Sequence, residues 1–196
     1  LGGDHSITTV ILQAIYEAYK NNKITLLYFD AHPDFVSSTR NYYGSVITDS
    51  SNYIDFTRSI LIGTRAAEQE ELENASEQNL EIITPIDIIE SGIKTIVKRI
   101  ISKCGSSKVY LSIDLDCMDP GVAPGVSVPT PGGLFPLDLM YIVKKICANL
   151  RILGMDIVEL SPDYDLNQNT ANHAARLLME TLSSLKIRRQ GNTGQD

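Results

Sequence analysis

Groups of aspartate directly follow two apolar segments of this 196-residue chain, and no other feature constrains its fold as strongly. The segments, 24–29 (ITLLYF) and 109–113 (VYLSI), have the composition of buried strands. The residues that follow them are Asp30, His32 and Asp34 in the first case, and Asp114 and Asp116 in the second. Because side chains two residues apart share one face of extended backbone, each group should project in one direction.

A site for two metal ions accounts for this concentration of carboxylates. His5, in the segment 2–6 (GGDHS), adds a second histidine to the set. The charges of the four ionised aspartates would be balanced by two divalent cations, whereas without metal at least one carboxylate should take up a proton. Oxygen and imidazole donors without a thiolate favour Mn²⁺, Mg²⁺ or Fe²⁺ over a structural zinc. For any single Asp-x-Asp segment, an aspartate that caps a turn at a strand end is the simpler interpretation.

Strand and helix patterns alternate along the chain, which predicts an α/β fold with a mostly parallel sheet between two layers of helices. Strands are expected at 24–29, 59–62, 80–83, 109–113 and 152–158. Helices are expected at 6–20, 66–78, 85–92, 93–104, 136–150 and from 170 onwards, with a long loop ending at 53. Sites in such sheets lie outside the carboxyl ends of the strands. We expect one domain over 1–185 and a polar, disordered tail over 186–196.

Four motifs of this chain resemble those of the ureohydrolases, the family of arginase, agmatinase and their relatives. The segments 2–6 (GGDHS) and 30–34 (DAHPD) resemble the first two signatures. The segment 112–125 (SIDLDCMDPGVAPG), continuing to 132–134 (GGL), resembles the third and most specific one. The segment 156–162 (DIVELSP) is a fourth match, and it is more like agmatinases than like arginases proper. The motifs occur in family order, so the resemblance covers nearly the whole chain.

The resemblance implies an arginase-like fold and a hydrolase that holds two manganese ions per subunit and splits guanidino compounds into urea and an amine. By position, His5 and Asp34 would bind one ion, His32 and Asp116 the other, and Asp30 and Asp114 both. Asp34 would also hold the metal-bridging hydroxide. Glu159 would pair with the substrate guanidinium through two parallel hydrogen bonds. The resemblance further implies a homo-oligomer, either a trimer or a hexamer.

One residue that the family pattern predicts is missing here. Family members carry a histidine in the loop after the Asp-x-His-x-Asp motif, where it is assigned to proton transfer, but the segment 40–50 (RNYYGSVITDS) contains none. Val46 stands about where this histidine would be. A catalytic chain would therefore protonate its leaving amine through solvent, Tyr42, Tyr43 or Asp49. Replacing Val46 with histidine should then raise turnover near neutral pH.

The sequence begins with Leu1, already inside the first motif, without the residues that precede this motif in the family. Those residues normally supply the first strands of the sheet and part of the pocket rim. We therefore expect the chain to be a fragment of a longer protein or the product of a reading-frame break. A natural minimal version of the fold is the alternative.

Composition agrees with a soluble cytoplasmic enzyme, and the resemblance implies that its partner is a small-molecule substrate. A hydrophobic content of 43% is sufficient for one substantial core. The net charge of −7 and the lack of a basic stripe disfavour nucleic acid, and no apolar run approaches membrane-spanning length. Three cysteines, an odd number, favour reduced thiols. His173, in the last predicted helix, is interpreted as a packing or surface residue.

Three functions remain open from the sequence. The first is hydrolysis of a small cationic guanidino substrate, agmatine, to putrescine and urea, a step of polyamine biosynthesis. The second is a related amidino or formimino hydrolysis, with guanidinobutyrate or formiminoglutamate as substrate. The third is a metal-binding paralogue without catalysis, which would act by association with an active homologue. The missing loop histidine keeps the third open, and no sequence feature identifies the substrate tail.

Overall fold

A sheet of five parallel strands forms the centre of the protein. In a computed structural model, the described residues are 2–37 and 42–192. The strands are β1 (Thr25–Phe29), β2 (Ile60–Ile62), β3 (Glu81–Ile83), β4 (Lys108–Asp114) and β5 (Arg151–Val158). Their order in the sheet is β3-β2-β1-β4-β5, and every pairing is parallel. The two strands that end in aspartates, β1 and β4, are therefore neighbours.

Helices alternate with these strands as the sequence predicts. They are α1 (Ile7–Ala18), α2 (Val46–Asp49), α3 (Gln69–Glu77), α4 (Pro85–Ser91), α5 (Ile93–Cys104), α6 (Pro136–Asn149) and α7 (Asn169–Asn192). The predicted break between α4 and α5 occurs at Gly92, whose φ of 79° suits glycine. None of the described helices combines the length and apolar character needed to span a membrane.

Two apolar cores, one on each face of the sheet, produce a three-layer arrangement. Leu27 and Phe29 of β1 belong to the core that helices α4, α5, α6 and α7 cover. Leu26 and Tyr28 point to the other face, where α1, α2 and α3 supply the covering residues. In a strand that is buried on both faces, successive side chains point alternately to one core and to the other. The predicted α/β/α fold with a parallel sheet is confirmed.

Two stretches differ from the predicted secondary structure. Within the stretch predicted as a loop ending at 53, residues Val46–Asp49 form α2. Val46 and Ile47 are fully buried in the core on the α1 side, which explains why this short helix forms. The tail predicted to be disordered from 186 is helical as far as Asn192, and its last four residues lie outside the described part of the chain.

The beginning of the chain runs along the outer edge of β5. The Gly2 N–H donates to the Ile157 carbonyl over 3.0 Å, and the Glu159 N–H donates to the Gly3 carbonyl over 3.0 Å. These bonds fix the segment before α1 against the end of β5. They bring His5 over the carboxyl edge of the sheet, beside the aspartates of β1 and β4.

The core around β4 leads to a stability prediction. Leu111 is 0% exposed at the centre of the sheet. Leu111→Ala should lower the free energy of unfolding by about 2–5 kcal/mol, because the sheet cannot collapse around the cavity that the substitution leaves. Chemical denaturation followed by circular dichroism measures this loss. Ile89→Ala is the matched control, since Ile89 on α4 is 81% exposed and should shift stability by no more than about 0.5 kcal/mol. Equal effects of the two substitutions would contradict the placement of the core.

Candidate metal centre

Six side chains converge on one cavity at the carboxyl edge of β1 and β4. The cavity has a volume of about 220 Å³, and its lining includes His5, Asp30, His32, Asp34, Asp114 and Asp116. The register of the sheet pairs Phe29 with Ile113, so the aspartates that follow these two residues lie side by side. The convergence thus originates in the parallel pairing of two strands that are distant in sequence.

His5 faces three of the carboxylates with one ring nitrogen. Its Nδ1 atom lies 2.9 Å from Asp30 Oδ2 and 3.1 Å from Asp114 Oδ2. Asp34 Oδ2 is 3.6 Å from the same nitrogen. His5 is almost completely buried, so these contacts are shielded from water.

His32 makes a second, more exposed group with the remaining aspartate. Its Nδ1 atom lies 3.1 Å from Asp116 Oδ2 and 3.3 Å from Asp30 Oδ1. Two sets of potential ligands result, His5 with Asp30 and Asp34, and His32 with Asp30 and Asp116, each with its atoms within 4.8 Å of one another. Asp30 is common to both sets, one oxygen for each, which is the arrangement that a pair of neighbouring cations requires.

The donor atoms fit divalent cations that prefer oxygen and nitrogen. Both sets consist of carboxylates and imidazoles, the combination favoured by Mn²⁺, Mg²⁺ and Fe²⁺. Cys117, which follows Asp116, belongs to neither set and is fully buried. Burial and the nearby charge of Asp116 raise the pKa of the Cys117 thiol well above its usual value, which disfavours the thiolate that a soft metal would need.

The local backbone differs from the extended geometry assumed for the sequence spacing. Strand β1 ends at Phe29, and Asp34 has a φ of 50°, in the left-handed region. Asp116 lies in a short 3₁₀ helix, Leu115–Cys117, beyond the end of β4. The period-two explanation is therefore wrong for His32, Asp34 and Asp116. Tight turns after the strands bring these side chains into the cavity.

Backbone N–H groups hold several carboxylates in place. The His32 N–H donates to Asp30 Oδ1 over 2.6 Å, and the Ala31 N–H donates to Asp116 Oδ1 over 3.0 Å. The Asp116 N–H in turn donates to Asp114 Oδ1 over 2.7 Å. Such bonds orient carboxylates without neutralising their charge.

The crowded charges shift the pKa values in the direction that opposes full ionisation. Burial and the neighbouring charge of Asp30 raise the pKa values of Asp34 and Asp114 well above the usual range for carboxyl groups. In contrast, burial of Asp30 is outweighed by hydrogen bonds with His32 and His5, and its pKa falls to about 2. Without metal, the cluster therefore retains protons on some of its carboxyl groups.

The two histidines also retain protons when no metal is bound. Hydrogen bonds to Asp116 and Asp30 raise the pKa of His32 to about 11. For His5, burial opposes protonation, but hydrogen bonds to Asp114 and Asp30 outweigh it and raise the pKa well above 6.5. A metal ion would have to displace these protons, because a coordinating imidazole nitrogen needs a free lone pair.

Tyr28 is a member of the site that the sequence analysis missed. Its hydroxyl donates a hydrogen bond to Asp34 Oδ2 and lies 2.9 Å from His5 Nδ1. Its ring stacks on the His5 imidazole, with centroids 4.4 Å apart and planes 7° from parallel. Tyr28 stands two residues before Asp30, and this spacing on one face of β1 could have identified it from the sequence.

Arg65 fixes the loops around Asp116 without touching its carboxylate. Its guanidinium donates to the carbonyl of Asp116 over 2.9 Å and to that of Met118 over 3.2 Å. It also donates to the carbonyls of Thr130 and Pro131 on the facing loop. Between these loops, a Cβ on Gly133 would lie 2.5 Å from the Met118 carbonyl carbon, so only glycine fits there. The guanidinium of Arg65, next to the site, thus binds backbone carbonyls and not the carboxylates of the aspartates.

Glu159 lies on the wall of the cavity that follows β5. Its Oε1 accepts the His5 backbone N–H over 2.9 Å, and its Oε2 accepts the Ser127 hydroxyl over 2.7 Å. Its φ of 62° is unusual for a residue other than glycine and directs the side chain into the cavity. Among the residues that the structure describes, no lysine or arginine forms an ion pair with Glu159.

The loop where a histidine was expected contributes other residues to the cavity. Tyr42, Tyr43 and Gly44 line it, whereas Val46 is 0% exposed within the apolar core. The expectation that a histidine at position 46 would reach the site is therefore wrong. His173, on α7, belongs to neither set of potential ligands, and the residues 38–41 of the loop lie outside the described part of the chain.

Comparison with known proteins gives consistent matches. Residues 1–183 match the arginase family. The agmatinase of Neisseria meningitidis serogroup C is 34% identical over 185 residues, and the mitochondrial guanidino acid hydrolase of Homo sapiens is 33% identical over 192 residues. The crystal structure of a hypothetical agmatinase from Burkholderia thailandensis superimposes with a TM-score of 0.89 at 30% identity, over 97% of this chain and 59% of that chain.

The chain spans little more than half the length of these relatives. The two alignments cover 93% and 94% of this chain, but only 57% of the Neisseria protein and 54% of the human one. The family match over residues 1–183 includes the whole candidate metal centre, while the remainder of each relative lies outside its alignment with this chain.

The retained protons lead to a pH prediction for metal binding. Because His32 keeps its proton up to a pKa of about 11, a cation that binds below this pH must release it, and metal affinity should rise with pH. For each proton that the cation displaces, the affinity for the cation should rise about tenfold per pH unit. Calorimetric titration with Mn²⁺ between pH 6.5 and pH 8.5, in buffers of different ionisation enthalpy, counts these protons.

Two asparagine substitutions provide the comparison for this titration. His32→Asn should lower the number of released protons by about one. His173→Asn, outside both ligand sets, should leave the number unchanged. An affinity that does not change with pH in the wild type would contradict the protonated state of the metal-free cluster.

Proposed function

The chain belongs to the arginase family, and we propose that the protein is a binuclear manganese hydrolase of guanidino compounds, with agmatine as its substrate. One observation carries this proposal. Six potential metal ligands converge on a cavity that is also lined by Glu159, a carboxylate without a cationic partner among the described residues. A cation-binding cluster facing such a carboxylate is suited to a positively charged substrate that is attacked by water.

The ligand geometry supports the assignment of two metal positions. His5 and Asp34 would hold one ion and His32 and Asp116 the other, with Asp30 shared between them. Asp114 lies between the two groups, because its Oδ2 is 3.1 Å from His5 Nδ1 and its Oδ1 accepts the Asp116 N–H. When bound, two such ions acidify a shared water sufficiently for it to attack near neutral pH.

Residues of the chain would position the other participants of the reaction. Tyr28 donates to Asp34 Oδ2 and so fixes the orientation of the carboxylate assigned to the attacking water. Glu159 offers two oxygens to a planar guanidinium, which forms two parallel hydrogen bonds with a carboxylate. The same carboxylate stabilises positive charge at the guanidino group while its central carbon becomes tetrahedral.

The lining of the cavity favours an amine over a carboxylate as the substrate tail. Glu68, Glu71 and Glu159 line it, and its described lining contains no lysine or arginine. A carboxylate tail, as in guanidinobutyrate, would meet like charge there. Guanidinobutyrate stays as the alternative substrate, because a guanidinobutyrase of Pseudomonas aeruginosa is 33% identical to the chain, nearly as similar as the agmatinases.

Further properties of the protein are proposed from the family relationship. We expect one ureohydrolase-like domain over residues 1–185, a cytoplasmic location, a role in polyamine biosynthesis and assembly into a homo-oligomer.

Measurement of urea and amine products from agmatine, guanidinobutyrate and arginine, with the full chain and added Mn²⁺, tests the activity. Preference for agmatine supports the proposal, whereas preference for guanidinobutyrate would identify guanidinobutyrate as the substrate in place of agmatine. Metal binding without turnover of any guanidino or formimino compound would identify a non-catalytic paralogue.

The role of Glu159 leads to a kinetic prediction. Glu159→Gln keeps an acceptor for the His5 N–H but loses the negative charge that faces the guanidinium. A hydrogen bond to a charged group contributes about 1.5–3 kcal/mol, so kcat/KM for agmatine should fall by at least about tenfold. Steady-state urea release measures this effect, and metal content should remain two ions per subunit.

Glu90→Gln is the matched control for Glu159→Gln. Glu90 lies on α4 outside the cavity, and its substitution removes the same charge from the protein. Its kcat/KM should equal that of the wild type. Unchanged kinetics of Glu159→Gln would remove the guanidinium-binding role and would indicate a neutral or anionic substrate.

The position of Tyr43 leads to a prediction on proton transfer. Tyr43 lines the cavity in the loop that lacks the expected histidine. Tyr43→His should raise urea release near neutral pH, because an imidazole titrates there and general acid catalysis contributes roughly 10²–10⁴-fold. Tyr43→Phe separates loss of the hydroxyl from gain of the imidazole. No gain in Tyr43→His, at equal metal content and thermal stability, would show that another group already protonates the leaving amine.

A further inference from the structure

A fifth aspartate, Asp156, lies buried behind the metal centre and belongs to neither set of potential ligands. Three hydroxyl groups surround its carboxylate. Thr8 Oγ1 donates to Oδ2 over 2.8 Å, Tyr110 Oη donates to Oδ2 over 2.9 Å, and Ser112 Oγ donates to Oδ1 over 2.6 Å. Among the described residues, no lysine or arginine forms an ion pair with it. A carboxyl group in the core needs hydrogen bonds to offset the cost of its burial, and here the three hydroxyl groups supply them.

The hydrogen-bonding capacity of Ser112 determines what its other neighbour must do. A serine hydroxyl has one hydrogen to donate, and this hydrogen is directed at Asp156. The His5 Nε2 atom lies 2.8 Å from the same oxygen. Because Ser112 can only accept in that contact, His5 must carry a hydrogen on Nε2. The Thr8 hydroxyl, 3.4 Å from Ser112, cannot replace it, since its own hydrogen is directed at Asp156.

A proton on Nε2 determines the chemistry of the opposite ring nitrogen. In the metal-free site both ring nitrogens of His5 carry hydrogen, since Tyr28 gives its own hydrogen to Asp34 and can only accept from Nδ1. A metal ion would displace one of these protons, and because Nε2 keeps its hydrogen for Ser112, the lone pair would then lie on Nδ1. Nδ1 is the atom that faces Asp30 and Asp114 in the cavity. We propose that Asp156 is a positioning residue that, through Ser112, holds His5 in the tautomer whose Nδ1 binds a metal ion. This inference rests on the proposed metal centre, and it concerns binding of the ion and not the hydrolysis step.

The sheet makes this relay rigid. Tyr28, Ser112 and Asp156 are register neighbours on β1, β4 and β5, and they project from the same face. His5 lies over this row, with its ring stacked on Tyr28. Side chains that orient metal-bound histidines in this way typically affect metal affinity by 10–100-fold.

His32 has no comparable support. Among the described residues, the hydrogen-bonding neighbour of its Nε2 atom is Thr130 Oγ1, at 3.4 Å, and its side chain is 25% exposed. A change in the relay should therefore affect the ion of the His5 set and spare the ion of the His32 set. This selectivity distinguishes a positioning role from a general loss of structure.

Ser112→Ala in the full chain tests the relay. It leaves the His5 Nε2–H without an acceptor, and the affinity for one of two Mn²⁺ ions should fall about 10–100-fold while the other ion stays bound. Calorimetric titration with Mn²⁺ gives the two affinities, and electron paramagnetic resonance distinguishes a coupled pair of ions from a single one. Tyr110→Phe is the control, since it removes one hydroxyl from Asp156 without touching the link to His5. Its two affinities should remain within a few-fold of the wild-type values.

Nitrogen NMR of the wild type provides a second measurement that does not depend on how well a variant folds. With Zn²⁺ as a diamagnetic probe, the His5 ring should show a hydrogen on Nε2 and none on Nδ1. The opposite tautomer would overturn the proposal, as would equal effects of Ser112→Ala and Tyr110→Phe or equal weakening of both ions. A protein that binds two ions with the expected tautomer but hydrolyses no guanidino compound would overturn the proposed function and leave the relay intact.

Discussion

Four carboxylates crowded at the ends of two neighbouring parallel strands are the constraint on which the site depends. The register of β1 and β4 places Asp30 beside Asp114, and the turns beyond them add Asp34 and Asp116. The only guanidinium near Asp116 among the described residues is that of Arg65, and it binds backbone carbonyls and no carboxylate. The fold thus leaves the negative charge for protons or for bound cations to neutralise.

Holding such a cluster requires backbone that resists relaxation. Asp34 and Glu159 both have left-handed backbone, which costs about 1–3 kcal/mol for a residue other than glycine. Each is fixed by bonds from another part of the chain. The Asp34 carbonyl accepts the Ile47 N–H over 3.0 Å, and the Glu159 N–H donates to Gly3 over 3.0 Å. Helix α2, which buries Ile47 in the core, therefore stabilises the turn that carries Asp34.

The sequence was sufficient for much of this structure. Alternating strand and helix patterns predict the three-layer fold, and the spacing of aspartates and histidines selects six side chains that do line one cavity. The explanation by strand periodicity was wrong beyond Phe29, because tight turns with their own hydrogen bonds replace extended backbone there. Val46 was misplaced because the burial of α2 depends on contacts with α1, which local sequence does not encode. Tyr28, Ser112 and Asp156 acquire their relation only through strand register.

His5 connects the two halves of the cavity. Its side chain belongs to the metal-binding half formed by β1 and β4, while its backbone N–H holds Glu159 Oε1 over 2.9 Å on the half that follows β5. Under the proposed function, one residue would therefore set the distance between the metal ions and the guanidinium, and the ring of that residue is hydrogen-bonded to Ser112. A displacement of the segment before α1 would move this potential metal ligand and the Glu159 carboxylate together. In the proposed reaction, binding of the guanidino group and placement of the attacking water would therefore be coupled mechanically, as a reaction between two bound groups requires.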